Sequence, residues 1–145
     1  MSRDPDTSHP SEVRGVVLTH GTMCDGMVDA VRRISGIEGE ALTAISNEGR
    51  DPEELVLAIK DVSAAHPTLI FTDLQTGNCA LAARLACRPP SDVRVVFGTN
   101  LPMLLDFVFH RDIPLDDLQE RLIKLGRYAI DSFEPEAVER GDRSI

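Results

Sequence analysis

A chain of 145 residues, 42% hydrophobic and 27% charged, is one domain's worth of globular sequence, large enough to bury a core without staples. Its 24 acidic residues against 15 basic ones leave a net charge of −9. That argues against a nucleic-acid partner held through its phosphates and suits a basic protein partner. No apolar run approaches the ~20 residues of a membrane span, and Met1–Glu12 lacks the apolar stretch of a secretory signal. Three cysteines, Cys24, Cys79 and Cys87, with no C-x-x-C pair, point to a reducing cytoplasm rather than a disulfide scaffold.

Residues 1–12 read as a flexible tail, too poor in apolar groups to offset the entropy of ordering. A folded unit is expected over 13–133, and 134–145 is a polar tail. Arg14–Thr19 is a β-branched run that predicts a buried strand. Thr22–Ser35 predicts a helix, with Thr22 as cap, Asp25 three residues on, and Met27, Val28, Val31 and Ile34 at helical spacing before Gly36. Glu40–Ser46 is a second strand and Asn47–Arg50 a turn. Asp51-Pro52-Glu53-Glu54 opens a helix with the stripe Leu55, Ile59, Val62, stopped by His66-Pro67. Thr68–Thr72 is a third strand. Gln75–Asn78 turns into a small-residue helix, Cys79–Ala86. Val93–Phe97 is a fourth strand, and Asn100 caps an apolar helix over Leu101–His110. A last helix, Pro114–Asp131, marks its buried face with Leu115, Leu118, Leu122, Leu125 and Ile130. Strands that alternate with helices and read as continuous apolar runs predict parallel pairing covered on both faces. The expected fold is a doubly wound α/β domain, with a mainly parallel sheet of about four strands in the order 2-1-3-4.

Ligands in such sheets sit beyond the C-terminal strand ends, where strand order reverses. The residues just past the strands are Thr19-His20-Gly21, Asn47, Asp73–Asn78 and Gly98-Thr99-Asn100. If strands one and three are neighbours, His20 and Asp73 face each other. A carboxylate that takes one ring nitrogen of a histidine fixes its tautomer and leaves the other free as nucleophile or base. Gln75–Asn78 lies at a helix N-terminus, where free N–H groups favour an anion such as phosphate.

Each feature has a plainer explanation. A lone histidine is often structural, Asp73 can be a helix cap, and Met27 can be ordinary core. The other histidines, His9, His66 and His110, sit in the tail or at helix ends and read as surface residues. A zinc site of His20, Cys24, Asp73 and Cys79 is the rival chemistry, but nothing in the spacing demands it, and small cysteines on helix first turns are commonly buried. No metal and no cofactor are expected.

Val16-Val-Leu-Thr-His20-Gly21, then Ile70-Phe-Thr-Asp73-Leu-x-x-Gly77, then Gly98-Thr-Asn100-Leu-Pro102-Met103-Leu104 resemble, in order and spacing, three signatures of the mannose-family enzyme IIA proteins of the bacterial sugar phosphotransferase system. The resemblance covers about Val13–Ile130. It implies a cytoplasmic phosphoryl carrier that accepts phosphate on a histidine from the phosphocarrier protein HPr and passes it to a IIB component. His20 is then the phosphorylated residue and Asp73 the acid that orients it. Thr19, Gly21, Gly77 and Asn78 would bind the phosphoryl group, and Met23, Leu74, Asn100 and Met103 the partner proteins. The resemblance further implies association with a IIC/IID permease without insertion into the membrane. It also implies a homodimer with an exchanged antiparallel C-terminal strand, for which Tyr128–Phe133 or the residues just after are the candidates. The apolar Leu101–Leu105 run and the long last helix point to the same dimer.

The second signature departs from the family's D-x-x-G-G-S-P: Thr76, Asn78 and Cys79 replace its first glycine, its serine and its proline. A regulatory IIA-like protein that signals to a non-transport partner is therefore a rival, as is the phosphotransfer subunit of a dihydroxyacetone kinase. A receiver would need paired acids after strand one, and a flavodoxin-like module a phosphate loop there; Thr19-His20 stands instead.

Overall fold

The computed structural model describes residues 12–136; the two predicted tails lie almost wholly outside them. The elements in chain order are β1 (Arg14–Thr19), α1 (Met23–Ser35), β2 (Leu42–Ser46), α2 (Pro52–Ser63), β3 (Thr68–Thr72), α3 (Asn78–Ala86), β4 (Val93–Val96), α4 (Leu101–Val108) and α5 (Leu115–Tyr128). All strands are parallel, in the order β2-β1-β3-β4. Both the class and the order match the expectation.

The pleat sends alternate strand residues into two apolar layers. Val17, Leu69 and Phe71 pack with Val28 and Val31 of α1, Leu104 and Phe107 of α4, and Leu118 and Leu122 of α5. Val16, Leu18 and Ile70 pack with Leu55 and Ile59 of α2 and with Cys79, Ala82 and Ala83 of α3. The alanines of α3 let that helix lie close to the sheet. Phe71 and Phe107 meet edge to face, with centroids 5.1 Å apart, and each buried ring contributes roughly 1.5–3 kcal/mol. Gly15 makes room for that pair: a Cβ there would stand 2.6 Å from Leu42 Cδ2 and 2.7 Å from Phe107 Cε2.

Helix α2 starts as its sequence dictates. Asp51 accepts from the Glu54 N–H, the Glu54 side chain reaches back to the Asp51 N–H, and Pro52 stands in the first turn. Asn100 likewise caps α4 by accepting from Met103 N–H at 3.2 Å. Thr22 does not cap α1: its backbone has φ −94° and ψ 5° and its side chain makes no capping bond. Ile34 and Ile130 are exposed rather than buried, because α1 ends with Ile34 turned off the sheet and α5 stops at Tyr128. Residues 129–134 form no strand, so the described residues hold a four-stranded sheet only. The Leu101–Leu105 run is core: Leu104 is fully buried, and Leu101 and Leu105 pack against the same layer. Of the run only Pro102 is exposed.

Candidate active site

Parallel pairing sets Leu18 against Thr72 and Thr19 against Ser46. The residues one step further on, His20, Asp73 and Asn47, therefore gather at one edge of the sheet. This is where the order reverses, since β1 lies between β2 and β3.

Asp73 holds His20 twice. Its Oδ2 accepts from the His20 backbone N–H at 3.0 Å and lies 2.9 Å from ring Nδ1. Its Oδ1 accepts from Leu74 N–H at 3.0 Å. Burial pushes the Asp73 carboxyl up, but the hydrogen bonds from the His20 backbone and ring outweigh it, together with the charge of the imidazole, and leave it below the ordinary carboxylate range. An ionised Asp73 makes Nδ1 the protonated nitrogen, so Nε2 presents a lone pair. The carboxylate is nearly enclosed and the ring is open, with side-chain exposures of 11% and 41%.

Nε2 faces the turn before α3. Gly77 precedes that helix with φ 92° and ψ −176°, a conformation all but restricted to glycine. A Cβ at Gly77 would stand 3.3 Å from Nε2 and 3.5 Å from Cε1. Asn78, the first residue of α3, is exposed beside it. Nε2 is thus aimed at the positive end of a helix. Arg84 braces the turn: its Nη2 donates to Gln75 O at 2.7 Å, and its guanidinium lies 4.8 Å from the Phe97 ring centroid. Sequence reading missed Arg84, because nothing in its spacing from Gln75 signals a contact made as α3 folds back past the turn.

Several expected site residues are placed otherwise. Thr19 is fully buried and its hydroxyl donates to His20 O at 3.3 Å, so it does not face an anion. Gly21 donates its N–H to Asn47 Oδ1 at 3.1 Å, and its carbonyl accepts from Ser46 Oγ at 2.7 Å. Its backbone is engaged inside the fold. Met103 is 3% exposed and packs against Gly126, so it belongs to the core and not to a docking face. Asn100 is half-buried and bridges two helices, accepting from Met103 N–H and donating to Gly126 O at 2.9 Å. Met23 and Leu74, each 53% exposed, remain on the surface beside the histidine.

His66 and His110, expected on the surface, are half-buried. Nδ1 of His110 donates to Asp106 O at 2.8 Å. Burial first, then nearby Arg14 and Arg111, lowers His66. His66 precedes β3 and so lies at the opposite sheet edge from His20. Ligand atoms of His20, Asp73 and Cys79 fall within 4.8 Å of one another. Burial, then the charges of Asp73 and Cys24, pushes the Cys79 thiol up to about 11. Cys24 is fully buried in the layer under α1 and is not in that cluster.

Residues 15–121 match the family model of the mannose-type EIIA proteins, described as the PTS system fructose IIA component. A sorbose-specific EIIA component from Klebsiella pneumoniae is 29% identical over 115 residues, which is 76% of this chain and 84% of that protein. Two solved structures share the fold. A phosphotransferase system EIIA component from Streptococcus agalactiae aligns with TM-score 0.75 at 24% identity, over 83% of this chain and 97% of that one. A mannose/sorbose-specific IIA subunit from Enterococcus faecalis aligns with TM-score 0.73 at 21% identity, over 85% and 96%. With a family model spanning most of the chain and a matching fold, this protein belongs to the mannose-type EIIA family of sugar phosphotransferase system components.

Proposed function

We propose that the protein is a cytoplasmic phosphoryl carrier in which His20 Nε2 accepts a phosphoryl group from HPr and passes it to a IIB component. The observation that carries this reading is the His20–Asp73 pair: Nδ1 lies 2.9 Å from a carboxylate while the ring is 41% exposed. In the forward step the lone pair of Nε2 attacks phosphorus. The P–N bond of the donor phosphohistidine breaks and its electron pair returns to the donor imidazole. Nδ1–H of His20 stays in place, and Asp73 balances the positive charge that would otherwise build on the ring. The second transfer repeats these events with the IIB nucleophile attacking. Neither step needs an electron acceptor, a nucleotide or a metal. Gly77 leaves space in front of Nε2, and it directly precedes α3, whose first N–H groups and Asn78 would supply donors to an anion there. Met23 and Leu74 supply exposed apolar surface beside the histidine, which suits docking of both protein partners.

The test is incubation with phosphoenolpyruvate, enzyme I and HPr, followed by mass spectrometry of the intact chain. One acid-labile phosphoryl group is expected on the wild type and none on His20→Ala. Equal labelling of both would refute the assignment.

We also propose a homodimer. Tyr128 at the end of α5 and Ile130 and Phe133 just past it are 87%, 78% and 59% exposed, an apolar stretch of the kind that a two-fold partner covers. Sedimentation that shows only a 15.9 kDa species at micromolar concentration would refute it.

A further inference from the structure

The backbone around His20 is held from two sides, and only one of them is Asp73. The peptide plane before His20 is pinned by its N–H bond to Asp73 Oδ2 at 3.0 Å. The plane after it is pinned by the Gly21 N–H, which donates to Asn47 Oδ1 at 3.1 Å, beside a longer bond from Thr19 Oγ1 to His20 O at 3.3 Å. Between two fixed planes both dihedrals of His20 are set, and so is the direction of its Cα–Cβ bond. Gly21 itself has φ 60°, a left-handed conformation that an unsupported loop would leave readily. Its carbonyl accepts from Ser46 Oγ at 2.7 Å, while Ser46 Oγ accepts from Glu48 N–H at 3.1 Å. The bracing segment is anchored in turn: Asn47 N–H donates to Thr19 O at 3.1 Å, and Arg50 N–H donates to Asn47 O at 3.1 Å. The end of β2 thus grips both polar groups of Gly21 without touching the ring.

We infer that Asn47, seconded by Ser46, is a positioning residue for phosphoryl transfer. It fixes the peptide plane that follows His20 and so aims Nε2 at the space before Gly77. This rests on the carrier reading of His20 and deepens it. Asn47 reaches the chemistry only through the backbone. A reactant displaced by about 1 Å can cost up to about 100-fold in rate. Here Asp73 still holds the ring and the preceding plane, so loss of Asn47 is expected to lower kcat about 10-fold and to leave KM for the phosphorylated donor unchanged.

The experiment compares wild type, Asn47→Ala and Asn47→Asp. Aspartate keeps an acceptor for the Gly21 N–H and so serves as the conservative rescue. The rate of His20 phosphorylation by phosphorylated HPr gives kcat and KM, and long-range 1H–15N spectra of the His20 ring, taken without donor, report its tautomer and, through the ring 15N shifts, its placement. The expected result has three parts: a kcat loss in Asn47→Ala with KM unchanged, recovery in Asn47→Asp, and an Nδ1–H tautomer kept by Asp73 in all three proteins, with ring 15N shifts that move only in Asn47→Ala as the ring is re-aimed. A kcat like that of the wild type in Asn47→Ala, a change confined to KM, or a loss that Asn47→Asp does not recover would overturn the inference. If wild-type His20 takes no phosphoryl group, the carrier reading fails by itself. The ring spectra then decide the role of Asn47: ring 15N shifts unchanged in Asn47→Ala overturn it, and shifts displaced there but restored in Asn47→Asp uphold it.

Discussion

Replacing Gly77 by alanine tests the local geometry and the proposed chemistry in one change. Gly77 sits at φ 92°, ψ −176°, where a side chain costs on the order of 1–3 kcal/mol of backbone strain. Taking about 2 kcal/mol, and an unfolding entropy of roughly 2.1 cal/mol/K per residue over a chain of this length, Tm should fall by about 6–7 °C. The added Cβ would also stand 3.3 Å from His20 Nε2, inside the space a phosphoryl group must enter. The phosphorylation rate should therefore drop by more than the stability loss explains. Gly36→Ala is the control. Its φ is 74°, and no atom lies within 4 Å of the added Cβ. It should lower Tm through strain of roughly 1–2 kcal/mol and leave phosphoryl transfer unchanged. Thermal unfolding followed by circular dichroism and a timed phosphorylation assay read the two effects separately. If Gly77→Ala matched wild type in both, the placement of Nε2 against that turn would be wrong. If it lost only stability, the space before Gly77 would not be the phosphoryl site.

Asp73→Asn should keep the fold and slow His20 phosphorylation on the order of 10–100-fold, by analogy with the loss of the partner that orients a metal-bound histidine. Because the carboxyl of Asp73 is lower in the folded chain than its ordinary value of 3.8, its bonds stabilise the fold above that pH and are lost as pH falls through the lowered value. Wild type should therefore exceed Asp73→Asn in stability near neutral pH, with the gap closing as pH falls below 3.8; a gap independent of pH in urea titrations would refute this. Gly15→Ala should destabilise by about 1–3 kcal/mol, because the added methyl meets Leu42 and the Phe107 ring inside a closed core; an unchanged urea midpoint would show that the ring can move aside.

The strands and helices were legible in the sequence because local chemistry specifies them. Asp51-Pro52 with Glu54 opens α2 and Asn100 caps α4 whatever surrounds them, and the two-sided apolar runs demand parallel strands under helices. His20 and Asp73 were legible as candidates because each directly follows a strand; that they face each other stayed conditional on strands one and three being neighbours, which the sheet pairing supplies. Other features depended on contacts between segments far apart in the chain. Thr19 and Met103 look available in sequence, yet one ends a strand covered on both faces and the other faces inward from α4. Ile130 has the right spacing for a buried face, but its helix ends before reaching it. Asn47 could be placed at a strand end by pattern. Only the register of β2 against β1 brings its carboxamide to the Gly21 N–H, 26 residues away. Local sequence determines which elements form and which residues lie at their ends. Which of those residues face each other, and which are closed over, is decided by pairing and packing across the whole sheet.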